Sequence, residues 1–426
     1  MPVIQKLKGM EVLDSRGRPT VEATCVLADG TTARASVPSG ASTGAFEAHE
    51  LRDGDPSRYR GKGCLRAAAH IEGEISGALA GETFEDQAAL DHRLLELDGT
   101  PTKSRLGANA ILAVSIAYAR AEAAQRGIPL YRHFAEMLGQ GIDQFPRMTI
   151  NLFSGGLHAG RQAPIQDILI VPTSSDSFTE GLVEANAVYL AAVDLLAEQF
   201  GQRWLTADEG GLSPEVESGE ALLEAAVTAI ERAGLVPGRD VCLAMDVASS
   251  HFFREGEYDL GERKLDSAGM IDWLASLVER YPLVSVEDGL AEEDWAHWPE
   301  LRRRLGNQCL VLGDDLLCTN PERIERAIRE GSCDALLLKV NQIGTLSEAL
   351  AAYRLAREAG WEITISVRSG DTEDDWYGDL VVGWSGDQTK AGSITQSERL
   401  SKYNRLLAIE KELPLPVRPW SHMPKT

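Results

Sequence analysis

Short, unbroken apolar runs, each closed by a charged residue, recur through the C-terminal two-thirds of this chain. Val241 to Asp246 reads Val-Cys-Leu-Ala-Met-Asp, Leu283 to Glu287 reads Leu-Val-Ser-Val-Glu, and residues 309–314 read Cys-Leu-Val-Leu-Gly-Asp. Residues 334–339, Asp-Ala-Leu-Leu-Leu-Lys, have the same form but end on a lysine. Runs this short without polar alternation predict strands buried on both faces, as in a parallel sheet. Asp246, Glu287, Asp314 and Lys339 follow one another at intervals of 41, 27 and 25 residues, close to a strand–helix unit of roughly 30 residues. The repeat predicts a parallel α/β barrel whose C-terminal mouth gathers all four side chains. Residues 363–370, ending in Arg368 and Ser369, read as another strand, and Lys390 lies one short unit later.

The first 130 residues have a different texture. β-formers cluster or alternate over 3–13, 20–27 and 31–37, with Asp14 to Pro19 as the first turn, so the chain opens on antiparallel strands. The third strand runs into Pro38-Ser39-Gly40-Ala41-Ser42-Thr43-Gly44, whose composition suits either a flexible turn or a lid over a ligand. Residues 104–126 are rich in alanine and leucine and are followed by the stop signals Gly127 and Pro129, while Ser218 is placed to cap a helix over 220–233. Apolar periodicity weakens between Phe134 and Pro146. Residues 1–134 are therefore expected to form one α+β unit and 135–426 the barrel, with no linker long enough to separate them.

Composition narrows the function classes. A formal charge of −23 over 426 residues argues against nucleic acid or an anionic membrane as partner, because both select basic surfaces. Small anions remain open, since they respond to local cations. The six cysteines show no metal spacing, and Cys242 and Cys309 fall in predicted core strands, so they read as buried thiols. With no signal pattern and no long apolar span, a cytoplasmic location is expected.

The candidate chemistry lies at the strand ends. Three carboxylates gathered at one mouth repel one another unless a divalent cation joins them, and an all-oxygen set with open positions suits magnesium. Two glycine-rich stretches join the picture. Residues 155–162 carry His158 and Arg161 and lead into Ile165-Gln166-Asp167-Ile168, and residues 207–211 read Ala-Asp-Glu-Gly-Gly around Glu209.

These residues resemble the enolase family over nearly the whole chain. The matching motifs are Asp14-Ser15-Arg16-Gly17 with Pro19-Thr20, the 39–44 loop, Glu50-Leu51-Arg52-Asp53-Gly54-Asp55, Gly107-Ala108-Asn109-Ala110, Asp208-Glu209-Gly210-Gly211 and Lys339-Val340-Asn341-Gln342-Ile343-Gly344. The resemblance implies a modified (β/α)8 TIM-type barrel with an N-terminal α+β capping domain, commonly as a homodimer. It implies two Mg2+ ions, one on Asp246, Glu287 and Asp314 and one on Ser39 with the substrate phosphate. It makes Lys339 the base that removes the proton beside the substrate carboxylate, and puts Glu209 and Asp167 on the face that expels the hydroxyl. Ser39, His158, Gln166, Arg368, Ser369 and Lys390 become substrate ligands.

Three positions depart from the family pattern. Asp167 stands where the family has glutamate, Val367 where it has histidine before Arg-Ser-Gly, and Leu157 where its glycine loop has glutamate. Valine neither donates a proton nor bonds a departing oxygen, and loss of a positioned acid/base group costs roughly 10²–10⁴-fold. Arg161 adds a cation where the family loop is usually neutral, which points to an additional or larger anionic partner, such as a second anionic substrate. The resemblance thus leads to enolate chemistry on a small phosphorylated or phosphonylated three-carbon acid with a rebuilt leaving-group side, of the carboxyphosphonoenolpyruvate synthase type. The alternatives are an ordinary phosphopyruvate hydratase and a scaffold without turnover.

Overall fold

The computed structural model describes residues 1–40, 44–160, 163–201, 205–216, 218–261, 263–306 and 308–422. Strands β1 (Ile4–Leu13), β2 (Pro19–Leu27) and β3 (Thr32–Ser36) pair antiparallel in that order, as the alternation predicts. One face of this sheet is covered by the helix Ala108–Gln125. Alanine and small apolar residues fill that helix on most sides, so it sits almost wholly inside the cap. It starts four residues later than its composition predicts. Gly107 precedes it at φ +100°, and a Cβ there would lie 2.5 Å from Leu51 Cβ, so the chain turns tightly before the helix can begin.

The barrel begins with β4 (Arg147–Ser154), β5 (Asp167–Pro172) and β6 (Val241–Asp246), every residue of which is buried. A small outer sheet of β7 (Phe253–Arg254), β8 (Glu257–Asp259) and β9 (Lys264–Leu265) follows. The barrel resumes with β10 (Leu283–Glu287), β11 (Leu310–Gly313), β12 (Ala335–Leu338), β13 (Glu362–Ser366) and β14 (Gln388–Lys390). The closed order is β10-β11-β12-β13-β14-β4-β5-β6. The predicted strands are therefore present, and their charged ends share one mouth.

One strand departs from an all-parallel barrel. β5 runs antiparallel to both neighbours, because the described residues of the link from Ser154 to Asp167 form no α-helix to carry a parallel crossover. Its first residue, rather than its last, thus lies at the mouth, where Asp167 pairs in register with Asp246 on one side and Ser154 on the other.

All six cysteines are free and buried, as expected from their place in apolar runs. Ser218 Oγ accepts the Ala221 N–H at 3.2 Å and caps the helix Gly219–Arg232. Among the described residues no helix is long and apolar enough to cross a membrane. The helix Leu130–Leu138 packs directly on the barrel helix Trp376–Gly383, with Phe134 edge-on to Trp384. The two backbones meet at Gly383, where a Cβ would fall 2.5 Å from the Tyr131 carbonyl oxygen and 2.6 Å from Phe134 Cβ.

Gly383→Ala should therefore destabilise the protein by about 1–3 kcal/mol through overpacking. Urea unfolding measures this directly. An unchanged midpoint would mean that the two helices have room to part.

Candidate active site at the barrel mouth

Four strand ends bring alternating charge together. β11 delivers Asp314 and its neighbour β12 delivers Lys339, whose Nζ lies 2.5 Å from Asp314 Oδ2. The four residues of β12 are fully buried leucines and alanine, so the strand cannot shift without exposing apolar surface, and Lys339 is fixed where the short helix Val340–Ile343 begins. Gln342, one turn on, donates to the other oxygen of Asp314 at 2.8 Å. On the opposite arc the ammonium of Lys390 bridges two carboxylates, 2.9 Å from Asp246 and 2.6 and 2.8 Å from Glu287. Gln166 also donates to Asp246, at 3.0 Å.

A second cluster adjoins the first through β5. Both oxygens of Asp167 are engaged, one by Ser154 Oγ at 2.5 Å and the other by His158 Nδ1 at 3.2 Å. Glu209 approaches the same pair closely enough that one atom from each of His158, Asp167 and Glu209 lies within 4.8 Å of the others. Asn151 donates to Glu209 at 3.0 Å, and the 207–211 loop is tied to the mouth by bonds from Asp208 N–H to the His158 carbonyl and from Ser393 N–H to the Glu209 carbonyl.

Burial makes the electrostatics severe. Desolvation opposes charge on Lys390, but Asp246 and Glu287 outweigh it and hold the lysine well above its usual range. Burial likewise pushes Asp246 up, and the Lys390 ammonium overrides it to bring the carboxyl down to about 2. Glu287 goes the other way, raised by burial and by the charge of Asp246. Burial opposes the charge of Lys339 too, and Asp314 beside it raises the lysine on balance. Desolvation pulls His158 down, yet Asp167 and Glu209 lift it to about 8.

Asp246 and Glu287, two buried all-oxygen donors on one ammonium, suit a divalent cation. Lys390 shows that Asp246 and Glu287 accept one common cation, and Glu287 is pushed toward protonation by burial and by its acidic neighbour, which added positive charge would relieve. Asp314 faces Lys339 and Gln342 in this arrangement. Its carboxylate groups within 4.8 Å with Asp288 and Asp315 rather than with Asp246 and Glu287. Asp288 acts there as a bracket, accepting the N–H groups of Asp314 at 3.0 Å and Asp315 at 2.7 Å.

The other predicted residues lie along the seam between cap and barrel. Arg368 is clamped by Glu47 at 2.9 and 3.1 Å and by Asn341 at 3.1 Å. Ser369 Oγ accepts from Arg16 at 3.2 Å. The Ser39 hydroxyl donates to Glu50 at 2.9 Å and accepts from Arg52 at 2.7 Å, so it faces cap side chains here and not the mouth carboxylates. Arg161, and Ala41 to Thr43 of the 39–44 loop, lie outside the described residues. Val367 is buried at 4% exposure in the apolar core, its N–H donated to the Lys390 carbonyl.

Sequence reasoning missed Asp288, Asp315, Gln342, Ser154 and Glu47 as parts of the site. The doubled acids Glu287-Asp288 and Asp314-Asp315 were a usable signal, because a second carboxylate at a buried strand end must find N–H partners. Ser154 and Glu47 carry no local signal.

Two family models match the chain. Residues 4–134 match the enolase N-terminal domain, and residues 143–417 match the enolase C-terminal TIM barrel domain.

The buried His158–Asp167 pair gives a pH-dependent stability. Because the folded pKa of about 8 lies above the ordinary 6.5, the protonated imidazole stabilises fully below about pH 6.5 and this contribution is lost as pH rises through about 8, an effect of about 2 kcal/mol. The unfolding free energy of the parent relative to His158→Phe should fall across that window. A difference independent of pH would contradict the charged pair.

Proposed function

The chain belongs to the enolase family, and from that premise we propose that it is a magnesium-dependent enzyme forming an enolate from a small three-carbon acid that carries a phosphoryl or phosphonyl group. One observation carries the reading. Lys339 and Lys390 stand as ammoniums among Asp246, Glu287 and Asp314 at strand ends of one barrel mouth, an arrangement suited to holding a dianion beside a base. Magnesium on Asp246, Glu287 and Asp314, with a second ion at Ser39, would supply Lewis-acid charge to the enolate.

Lys339 takes the proton from the carbon next to the substrate carboxylate. To do so it must be neutral, so its close bond to Asp314 has to give way as that carboxylate takes other partners. Lys390, once released from Asp246 and Glu287, offers its ammonium to the substrate's anionic end. Arg368 and Ser369 supply a further cation and hydroxyl at the seam. Gln166 and Gln342 keep Asp246 and Asp314 oriented.

The leaving-group side supports a specialised reaction. Asp167 has both oxygens occupied, and Val367 offers only methyl groups and packs in the apolar core. A hydroxyl leaving from the enolate thus lacks part of the help that the family pattern provides. We infer a reaction of the carboxyphosphonoenolpyruvate synthase type, in which the enolate half is kept and a phosphonoformyl group passes from an activated donor to the three-carbon unit as the donor's leaving group departs. Ordinary dehydration of 2-phosphoglycerate is the second reading. It is favoured by His158, held protonated at neutral pH next to Glu209, where it could serve as an acid.

Asp246→Ala, Glu287→Ala and Asp314→Ala should each abolish tight magnesium binding by calorimetry, since each removes a ligand and much of the local charge. Unchanged affinity in all three would sink the metal site.

Lys339→Ala should lower exchange of the C2 proton of 2-phosphoglycerate in deuterated water by roughly 10²–10⁴-fold while the circular dichroism spectrum is retained. Parental exchange in that variant would assign the base elsewhere. Val367→His combined with Asp167→Glu should raise phosphoenolpyruvate formation more than the two single changes together, because both residues act on one departing group. Simple additivity would count against a shared leaving-group face.

A further inference from the structure

The helix Ser397–Glu412 buries two cations near its start, Arg399 at 0% exposure and Lys402 at 1%. A cation in the first turn works against the helix dipole, and burial adds a desolvation cost, so helix formation does not explain Arg399. Its partners do. The two terminal nitrogens donate to successive carbonyls, those of Arg368 and Ser369, each at 2.7 Å. The Ser369 carbonyl also accepts Ser15 Oγ, at 3.3 Å. Glu398, 3.3 Å from Arg399 Nε, and Asp371, 3.9 Å from Nη1, supply counter-charge. Lys402 continues the line by donating to Asp371 at 3.1 Å and to the Thr372 carbonyl.

The same helix is tied to the other segments of the mouth. Just before it, Thr395 Oγ1 donates to the Gly210 carbonyl at 2.7 Å and the Gln396 amide to the Ala207 carbonyl at 3.1 Å. Gln396 holds φ +68°, a conformation that non-glycine residues rarely adopt and that persists only where the surroundings fix it. The Tyr403 hydroxyl donates to the Gly392 carbonyl at 2.8 Å. Gly392 lies against the Arg399 side chain, since a Cβ there would fall 2.9 Å from Arg399 Cδ and 2.9 Å from the Glu209 carbonyl oxygen. Arg399 therefore sits where the residues after β13, the residues after β14 and the 207–211 loop come together.

A guanidinium is a rigid planar fork, and by gripping two successive carbonyls it fixes two successive peptide planes. Each plane directs its N–H to the far side; that of Gly370 donates to the Ser39 carbonyl at 3.0 Å. We propose that Arg399 is a positioning residue for the substrate's anionic end. Its fork holds the backbone that presents Arg368 and Ser369, and its stem sets the approach of the Lys390 segment through Gly392. The assignment rests on the enolate reading above, which gives those three residues to the substrate.

The test is calorimetry on the full chain, titrating magnesium alone and then 2-phosphoglycerate in saturating magnesium. Arg399→Lys keeps the charge but cannot grip both carbonyls. It should bind 2-phosphoglycerate about tenfold or more weakly, as expected when binding groups are misplaced by about an ångström, while magnesium affinity stays parental. Arg399→Ala should lose more, and guanidinium added at low millimolar concentration should restore part of the affinity where methylammonium does not. A residue that only supports the fold would not separate the two ligands. Parental affinity for 2-phosphoglycerate in Arg399→Lys, an equal loss for magnesium and 2-phosphoglycerate, loss of cooperative thermal melting in Arg399→Lys, or equal rescue by the two cations would each overturn the assignment. If Arg368→Ala loses affinity for 2-phosphoglycerate and Arg399→Lys keeps it, this inference alone falls; a parent that binds no 2-phosphoglycerate overturns the enolate reading and this assignment with it.

Discussion

The structure turns on the cost of burying like charges. Asp246, Glu287 and Asp314 are each less than a tenth exposed, and an uncompensated carboxylate in such a place would rather take up a proton than stay ionised. Lys390 and Lys339 supply the compensation, but two ammoniums among three carboxylates leave one negative charge over, and burial together with the charge of Asp246 pushes Glu287 up even while it is bonded to a lysine. A fold that maintains this imbalance is poised to accept more positive charge. The buried leucines of β12 and the paired register of β10 and β6 hold the charges in place, so that relief cannot come from the strands moving apart.

The reversed β5 extends the same logic to the neighbouring cluster. Because Asp167 begins its strand, the mouth gains a carboxylate beside Asp246 without a further strand–helix unit, and the short loop before it carries His158 back to bond that carboxylate. The proposed leaving-group side and the carboxylate Asp246 thus meet across a single pair of strands. The cap closes the arrangement from above, and its contacts are made by charge as much as by packing: Glu47 clamps Arg368, and Arg16 reaches Ser369.

Much of this was legible in the chain because it is local. Apolar runs ending in Asp246, Glu287, Asp314 and Lys339 identified the barrel strands and their mouth, and alternation in the first residues identified the cap sheet. The direction of β5 was not legible from its own composition, since Asp167 to Pro172 would look the same in either orientation; the sign of it lay in the missing helix before the strand. Glu47 with Arg368 and Lys390 with Glu287 are pairs far apart in sequence, so nothing near either partner announces them. Gly107 delays a helix whose composition would start it earlier, because a tight approach to Leu51 overrides propensity.

The central claim is that the enolate half of the chemistry is intact while the hydroxyl-expelling half is altered at Val367 and Asp167. Its most direct measurement is made on the unmodified protein with magnesium and 2-phosphoglycerate in deuterated water, following deuterium entry at C2 and phosphoenolpyruvate formation in one sample. The account predicts that exchange outruns product, because enolates form and return without losing the hydroxyl. Phosphoenolpyruvate appearing as fast as the label, at a rate of roughly 10 s⁻¹ or more, would contradict it and make the protein an ordinary hydratase.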